Sequence, residues 1–301
     1  MSEMSGPKLA DAAPTQYRSL FISDLHLGMR GCQAEMILDF LRHNEAETIY
    51  LVGDVFDGWA MRRRIFWPQT HNDVVQKLLR KARNGSRIIY VPGNHDEVMR
   101  SYLGTHFGGV EVVDRSIHET LDGRTFLVIH GDQFDLVVMN HRVLTAVGDR
   151  AYEAALWANR HYNRVRRALG FPYWSFSKWA KNQVKRAVAF IGDFEEVLAS
   201  EARKIGVDGV ICGHIHQAAM RKIHAVDYVN TGDWVESCTA IAEDHSGQLI
   251  LINWANEMAE NHAANAQSKA NKAKVALKAE LVARSDAAAN SGHLENQLAN
   301  S

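Results

Sequence analysis

Carboxylate, amide and imidazole side chains recur in five short segments of this 301-residue chain. Each segment follows a run of apolar or β-branched residues that has the length of a buried strand and is too short for a helix. Aspartate, asparagine and histidine are ligands that divalent metals accept, and histidine also transfers protons near neutral pH. These residue types therefore indicate a site for cations with proton transfer beside it. The five segments are Asp24-Leu25-His26, Gly53-Asp54-Val55-Phe56-Asp57, Gly93-Asn94-His95-Asp96, His130-Gly131-Asp132 and Gly213-His214-Ile215-His216.

Each segment alone also has an ordinary structural explanation. A single aspartate at a strand end, such as Asp24 or Asp54, is more often a turn or helix-cap residue. A lone histidine such as His130 at the end of an apolar strand is more often a hydrogen-bonded core residue. The five segments together favour a cation site, because the carboxyl ends of the strands in open α/β sheets form one crevice.

The strands that must position these segments are predicted at residues 20–23, 48–52, 87–91, 125–129 and 209–212. Helical spacing at 34–43 and 72–83 separates the first three, which predicts parallel strands with right-handed crossovers. A turn at Asp122-Gly123 predicts a hairpin, and hence a mixed sheet or a second sheet.

A helical insertion is predicted at about 136–192, where Gly170-Phe171-Pro172 separates two long helical stretches. Between His141 and Arg186 the chain has ten lysines and arginines against two acidic residues, so this part of the sequence is strongly basic. The two ends of the chain, residues 1–17 and 255–301, lack the pattern of apolar residues that a buried core needs. We expect residues 1–17 to be flexible, 18–254 to form the main domain, and the alanine- and asparagine-rich 255–301 to be mobile or partly helical.

The composition excludes several classes of protein. With 46% hydrophobic residues and 34 Lys+Arg against 35 Asp+Glu, the chain is typical of a globular protein and not of a disordered or fibrous one. It has no apolar run of the roughly 18 residues that a membrane span needs. The only cysteines are Cys32, Cys212 and Cys238, without CxxC spacing, which favours a reduced, cytoplasmic protein.

The five segments resemble the motifs of the calcineurin-like metallophosphoesterases, and the likeness runs from Ser19 to about Glu243. The resemblance implies an α/β fold, a four-layer αββα sandwich, with the inserted helical hairpin as a lid. It also implies a site for two metal ions that share one aspartate. Transferred by position, the ligands of one ion would be Asp24, His26, Asp54 and His216, and those of the other Asp54, Asn94, His130 and His214.

The resemblance also implies how such a site works. Two cations would lower the pKa of a water molecule, orient a phosphoryl group and neutralise its charge, so the nucleophile would be hydroxide. His95 would give a proton to the leaving group, with Asp96 orienting it, and Asp57 and Asp132 would contact the ligands. The three aspartates could equally be helix caps. Mn²⁺ is the preferred metal, and Fe, Zn²⁺ and Co²⁺ also suit this set of ligands.

Within the family, the closer likeness is to the bacterial UDP-2,3-diacylglucosamine pyrophosphatases of lipid A biosynthesis. It lies in the opening around Asp24, the insertion after His130, and the segment Asn230-Thr231-Gly232-Asp233-Trp234. His95 departs from that group, in which arginine commonly follows the metal-binding asparagine. From the closer likeness we expect hydrolysis of UDP-2,3-diacylglucosamine to UMP and lipid X, or of a related lipid or nucleotide diphosphate. A nuclease or cyclic-nucleotide phosphodiesterase, and a non-enzymatic interaction platform, are the alternatives.

Basic and aromatic residues near these segments are the candidates for binding an anionic substrate. They are Arg62, Arg63, Arg160, Arg164, Arg167 and Trp174. Such residues suit a phosphoester or a lipid-linked nucleotide, and peripheral contact with the inner face of a membrane. They also suit nucleic acid, which we regard as the lesser alternative, or an ordinary basic surface.

Overall fold

The computed structural model of the protein describes residues 13–134 and 176–261, and four further helical positions, 263, 266, 267 and 271; residues 176–189 are described as backbone only. Within this part of the chain, residues 14–254 form one compact unit. The described residues 255–261, which belong to a second unit, are helical. No helix among the residues described combines the length and the apolar character that crossing a bilayer requires.

Twelve strands in the described part form two sheets. The seven-stranded sheet has the order β12-β11-β1-β2-β3-β5-β4, and the five-stranded sheet has the order β6-β7-β8-β10-β9. The strands are β1 Thr15–Ile22, β2 Asn44–Val52, β3 Arg87–Val91, β4 His106–Phe107, β5 Val110–Val112, β6 Ser116–Glu119, β7 Thr125–Val128, β8 Gly209–Cys212, β9 Ala219–Ile223, β10 Val226–Asn230, β11 Thr239–Glu243 and β12 Leu249–Asn253.

Among the described residues of the compact unit 14–254, four α-helices accompany the sheets. They are α1 Ala34–His43, α2 Gly58–Arg63, α3 Gln69–Arg83 and α4 Phe176–Ile205, and short 3-10 helices span Glu97–Tyr102 and Asp132–Phe134. The α1 range and the end of α3 agree with the helical spacing of the sequence. The predicted hairpin is also confirmed, because β6 and β7 pair antiparallel across the Asp122-Gly123 turn.

The two sheets pack face to face around an apolar core. Phe21 of β1 and Tyr50 of β2 contribute to this core from one sheet, and Val128 of β7 and Ile211 of β8 from the other. β1 pairs parallel with β2, β2 with β3, and β7 with β8, so the strands that precede the polar segments end on the same side within each sheet. Such parallel strands are buried on both faces, which explains their uninterrupted apolar runs.

Helix α4 covers the outer face of the five-stranded sheet. Phe194, Leu198 and Ala202 recur at helical spacing and are fully buried against β7, β8 and β10. The helix therefore continues past residue 192, where we expected the insertion to end, because its last turns are part of the core. Strand β1 likewise begins at Thr15 and so includes the last residues of the segment 1–17 predicted to be flexible.

On the outer face of the seven-stranded sheet, α1 packs beside α3 and buries Ile37, Phe40 and Leu41. The order of layers is helix, sheet, sheet, helix, as predicted. Residues 135–175 lie outside the described residues, and so does most of the predicted hairpin lid.

Candidate metal centre

The polar segments meet where the parallel strands end. Asp24, His26 and His216 come from the loops after β1 and β8, and one ligand atom from each lies within 4.8 Å of the other two. His216 Nε2 is 3.1 Å from Asp24 Oδ1 and 3.2 Å from His26 Nε2. These three side chains can therefore hold one cation.

A second group consists of Asp54, His130 and His214, from the loops after β2, β7 and β8. His130 Nε2 lies 3.4 Å from Asp54 Oδ2, and the rings of His130 and His214 are 5.1 Å apart. The same Asp54 oxygen lies 3.9 Å from His26 Nε2 in the first group. Asp54 is thus placed between the two groups, as a shared ligand would be.

Asn94 lies in the loop after β3, directly before His95, whose backbone N–H donates to Asp54 Oδ1 at 2.8 Å. Both side-chain amide atoms of Asn94 are buried and make no hydrogen bond with any residue that the structure describes, and the same is true of His130 Nε2. Leaving such atoms unpaired costs about 1–3 kcal/mol each. Their positions and chemistry fit a bound cation, which would accept the amide oxygen and the imidazole nitrogen as ligands.

The backbone at the centre is unusual as well. Five of the seven predicted ligands have a left-handed conformation, which costs a residue with a side chain roughly 1–3 kcal/mol. Their φ angles are 53° for Asp24, 51° for His26, 51° for Asp54, 73° for His214 and 54° for His216. These turns bring the polar side chains of each segment, such as Asp24 and His26, into one cleft. Backbone strain of this kind is often found at functional sites.

Two glycines allow the loops to approach closely. A Cβ atom at Gly93 would lie 2.3 Å from Asp54 Oδ1 and 2.6 Å from His130 Nε2. At Gly213 it would lie 2.4 Å from Asp24 Oδ2. No side chain fits at either position while the ligand groups keep their places.

The charges of Asp54 and His130 stabilise each other. Burial raises the pKa of the Asp54 carboxyl, but the positive charge of His130 more than offsets this, so the pKa lies well below its usual range. Burial alone would lower the pKa of His130, yet the negative charge of Asp54 raises it to about 10. His130 also donates its Nδ1 proton to the Val52 carbonyl, which directs Nε2 into the cleft, as is common for metal-binding histidines.

A third group joins His26 to the predicted proton donor His95 through Asp57. Asp57 Oδ1 lies 3.1 Å from His95 Nδ1, and Asp57 Oδ2 lies 3.4 Å from His26 Nδ1. Asp57 is also the N-cap of α2, accepting a hydrogen bond from Ala60 N. The two explanations that the sequence left open for Asp57, a cap and a contact with the site, both hold.

Asp96 has a different place from the one predicted. It does not orient His95: its carboxylate accepts hydrogen bonds from the backbone N–H groups of Val55 and Gly93 and from the hydroxyl of Tyr90. The side chain is buried, and burial together with the charge of Asp54 raises its pKa. Asp96 thus binds the loop after β2 to the loop after β3. Its carboxylate oxygens accept these three hydrogen bonds, and the His95 ring contacts Asp57 instead.

Asp132 forms an ion pair that the sequence analysis missed. Arg100 Nη2 lies 2.7 and 2.8 Å from its two carboxylate oxygens, and donates to the Pro92 carbonyl as well. This contact joins the loops that carry Asn94 and His130.

The sequence analysis also did not predict a contact between Trp234 and the loop after β1. The backbone N–H of Trp234 donates to the Asp24 carbonyl at 3.0 Å.

The predicted substrate contacts are only partly described. Arg62 and Arg63 are exposed on α2, with Arg62 3.8 Å from Glu97, and in the described structure neither forms a hydrogen bond or ion pair with the predicted ligands. Arg160, Arg164, Arg167 and Trp174 lie outside the described residues. The sequence analysis missed Trp59, whose ring lies 4.1 Å from that of His95.

The chain is similar in sequence or structure to several known proteins. A family model described as calcineurin-like phosphoesterase matches residues 17–218. A UDP-2,3-diacylglucosamine hydrolase of Xanthomonas campestris pv. campestris is 29% identical over 248 residues, covering 77% of this chain and 97% of the relative. The protein of the same name in Cellvibrio japonicus is 26% identical, covering 78% and 98%. A solved phosphoesterase from E. coli is 15% identical, covering 78% of this chain and 98% of its own, with a TM-score of 0.39.

Proposed function

Because the chain belongs to the calcineurin-like phosphoesterase family, we propose that it hydrolyses the pyrophosphate of UDP-2,3-diacylglucosamine to UMP and lipid X, or acts on a related lipid or nucleotide diphosphate. The substrate is suggested by relatives named for this reaction, which the chain matches over nearly their whole length. The observation that carries the metal-dependent chemistry is the meeting of carboxylate, amide and imidazole groups around Asp54, with buried atoms of Asn94 and His130 unpaired in the described structure.

We assign one divalent ion to Asp24, His26, Asp54 and His216, and a second to Asp54, Asn94, His130 and His214. Bound there, such ions supply positive charge for a phosphoryl group and activate a water molecule for attack. Mn²⁺ is our proposed metal. The side chains offered are oxygen and imidazole ligands without a thiolate, which suits Mn²⁺.

Hydrolysis of the pyrophosphate needs a proton at the leaving oxygen. The attacking water loses a proton to solvent, its oxygen forms a new bond to phosphorus, the bridging P–O bond breaks, and the departing phosphate accepts a proton. We assign this donation to His95. Burial raises the pKa of the Asp57 carboxyl, but its contacts with His26 and His95 more than offset this, so the pKa lies below its usual range. Asp57 holds the proton at Nδ1 of His95 and leaves Nε2 for the substrate.

The proposed substrate also suggests a place of action. A diacylated sugar nucleotide has its acyl chains in a membrane, so we propose that the protein works in the cytoplasm, in peripheral contact with the inner face of the membrane. The exposed Arg62 and Arg63 would favour an anionic surface or substrate.

The test is to assay the Mn²⁺-loaded protein on UDP-2,3-diacylglucosamine, cyclic nucleotides and oligonucleotides in parallel. We expect UMP release from the lipid substrate, and a loss of at least 1000-fold in kcat for Asp54→Asn, because the shared ligand loses its charge. Asp114→Asn is the matched control, since Asp114 is exposed and pairs only with Arg115 among the described ion pairs. Cleavage of nucleic acid or cyclic nucleotides alone would contradict the assigned substrate, and full activity of Asp54→Asn would contradict the assigned metal centre.

A further inference from the structure

His71, on the first turn of α3, is a buried histidine that the chemistry above does not use. The residue is only 2% exposed. Its Nδ1 atom accepts a hydrogen bond from the backbone N–H of Gly28 at 3.0 Å. A buried backbone N–H group must have a partner, and His71 is the partner of this one.

Gly28 lies two residues after His26 in the loop after β1, which carries two of the proposed ligands. Along the rest of this loop, the N–H groups of Asp24, His26 and Leu27 donate to carbonyl groups of the neighbouring loop after β2. This ladder also includes Asp57, whose N–H donates to the Leu27 carbonyl. The N–H group of Gly28 has no such backbone acceptor and donates instead to the side chain of His71 on a separate element, and the next N–H group, that of Met29, donates to the His26 carbonyl.

The position of His71 is itself fixed. Its backbone N–H donates to the Pro68 carbonyl, and the rings of Phe66 and Trp67 stand edge-on to the imidazole at 5.7 and 5.5 Å. Burial lowers the pKa of His71, which favours the neutral ring that can accept at Nδ1. A rigid acceptor is therefore present at the point where the loop leaves its neighbour.

We propose that His71 is a positioning residue for the metal centre: by holding the Gly28 amide, it fixes the loop from Asp24 to Gly28 and hence the direction of the His26 ring. The inference rests on the proposed function, because it concerns the ion assigned to Asp24, His26, Asp54 and His216. The ion assigned to Asp54, Asn94, His130 and His214 has no assigned ligand in this loop, so we expect the larger effect of His71 on the other ion.

Two substitutions separate the acceptor from the bulk of the ring. His71→Leu removes the acceptor and retains an apolar side chain, whereas His71→Asn retains an oxygen near the position of Nδ1. The measurements are exchange of the Gly28 amide hydrogen in metal-free protein and Mn²⁺ binding by calorimetry. We expect His71→Leu to speed Gly28 exchange at least tenfold and to weaken binding of one Mn²⁺ ion at least tenfold. His71→Asn should stay within about threefold of the unaltered protein in both measurements.

His43→Leu is the matched control. His43 is a half-buried histidine, and among the described hydrogen bonds its Nδ1 has one partner, the Asp39 carbonyl of its own helix.

Unchanged Mn²⁺ affinity and Gly28 exchange in His71→Leu would overturn the inference, as would equal losses in His71→Asn and His71→Leu. If His71→Leu does not fold, the nitrogen chemical shifts of His71 in the unaltered protein decide: a proton on Nε2 alone supports the inference, and a proton on Nδ1 overturns it. Absence of Mn²⁺ binding by the unaltered protein would instead contradict the proposed function.

Discussion

The proposed proton donor, His95, is held by contacts on several sides of its ring. Trp59 lies over it at 4.1 Å and the His26 ring stands perpendicular to it at 4.6 Å. Asp57 faces Nδ1, and Nε2 lies 4.0 Å from Asp54 Oδ2. The ring thus cannot rotate freely, and its second nitrogen is kept on the side of the metal centre. Such restraint is what a proton donor needs, because transfer depends on the direction of the N–H bond.

His95→Ala tests whether this ring moves a proton or binds an ion. We expect kcat to fall by roughly 10²–10⁴-fold, the usual contribution of a general acid, with two Mn²⁺ ions still bound. Activity on the lipid diphosphate and metal content by mass spectrometry provide the measurement, with His224→Ala, at an exposed ion pair with Glu196, as the control. Loss of an ion together with activity would identify His95 as a ligand, in the group it forms with His26 and Asp57.

At the scale of elements, the site is made by abrupt turns at the ends of parallel strands. The strands supply a rigid frame that is buried on both faces, and the left-handed residues that follow them bring the ligand side chains together. Buried contacts such as Asp96 with the Val55 and Gly93 amides, and Arg100 with Asp132, bind these turns to one another. Hydrogen bonds between the loops therefore help to balance the strain in the turns.

Gly93→Ala tests how tightly the loops approach. The added methyl group would meet the Asp54 carboxylate and the His130 ring, which must then move. We expect metal binding and kcat each to fall at least tenfold, measured by calorimetry and by the lipid diphosphate assay. Gly192→Ala is a matched control on α4, where a Cβ atom would meet nothing within 4 Å of the described structure. A Gly93→Ala protein with unaltered metal affinity would show that the loops have more room than the distances indicate.

At the scale of the whole compact unit, a buried polar network joins the two sheets near the amino-terminal part of β1. Glu243 of β11 contacts Arg18 of β1 at 2.6 Å and His118 of β6 at 2.8 Å. The Tyr50 hydroxyl faces the other nitrogen of His118 at 3.2 Å. Since Glu243 and His118 belong to different sheets, their contact helps to fix the position of one sheet against the other.

The network predicts a pH dependence of stability. Burial lowers the pKa of His118 below its usual value, and the charge of Glu243 only partly offsets this. The unfolded chain therefore binds a proton more readily below about pH 6.5, and the free energy of unfolding falls there, by at most about 1.4 kcal/mol per pH unit. Above that pH the contribution of His118 is fully present. Urea unfolding between pH 5 and 8 should show a smaller acid-side loss for His118→Gln, and equal slopes in both proteins would contradict the prediction.

Much of the fold and the residue types of the site could be predicted from the sequence. Apolar runs, helical spacing and turn residues are local signals, and they located β1, β2, β3, β7, β8 and α1. The polar residues at the strand ends are also local, so the parallel arrangement alone predicted that Asp24, Asp54, Asn94, His130 and His214 would meet. That such groups gather follows from the topology of parallel strands, whatever the detailed shape of the loops.

The tertiary structure alone decided which partner each of these groups has. Asp57, and not Asp96, faces His95, although Asp96 is its neighbour in the chain. His71 reaches Gly28, and Arg100 reaches Asp132, across separations of 43 and 32 residues. A hydrogen bond depends on distances of a few tenths of an ångström, which are set by the packing of whole sheets and by left-handed turns. Sequence spacing carries no information at that precision, and so it determined the kinds of side chain at the centre but not their contacts.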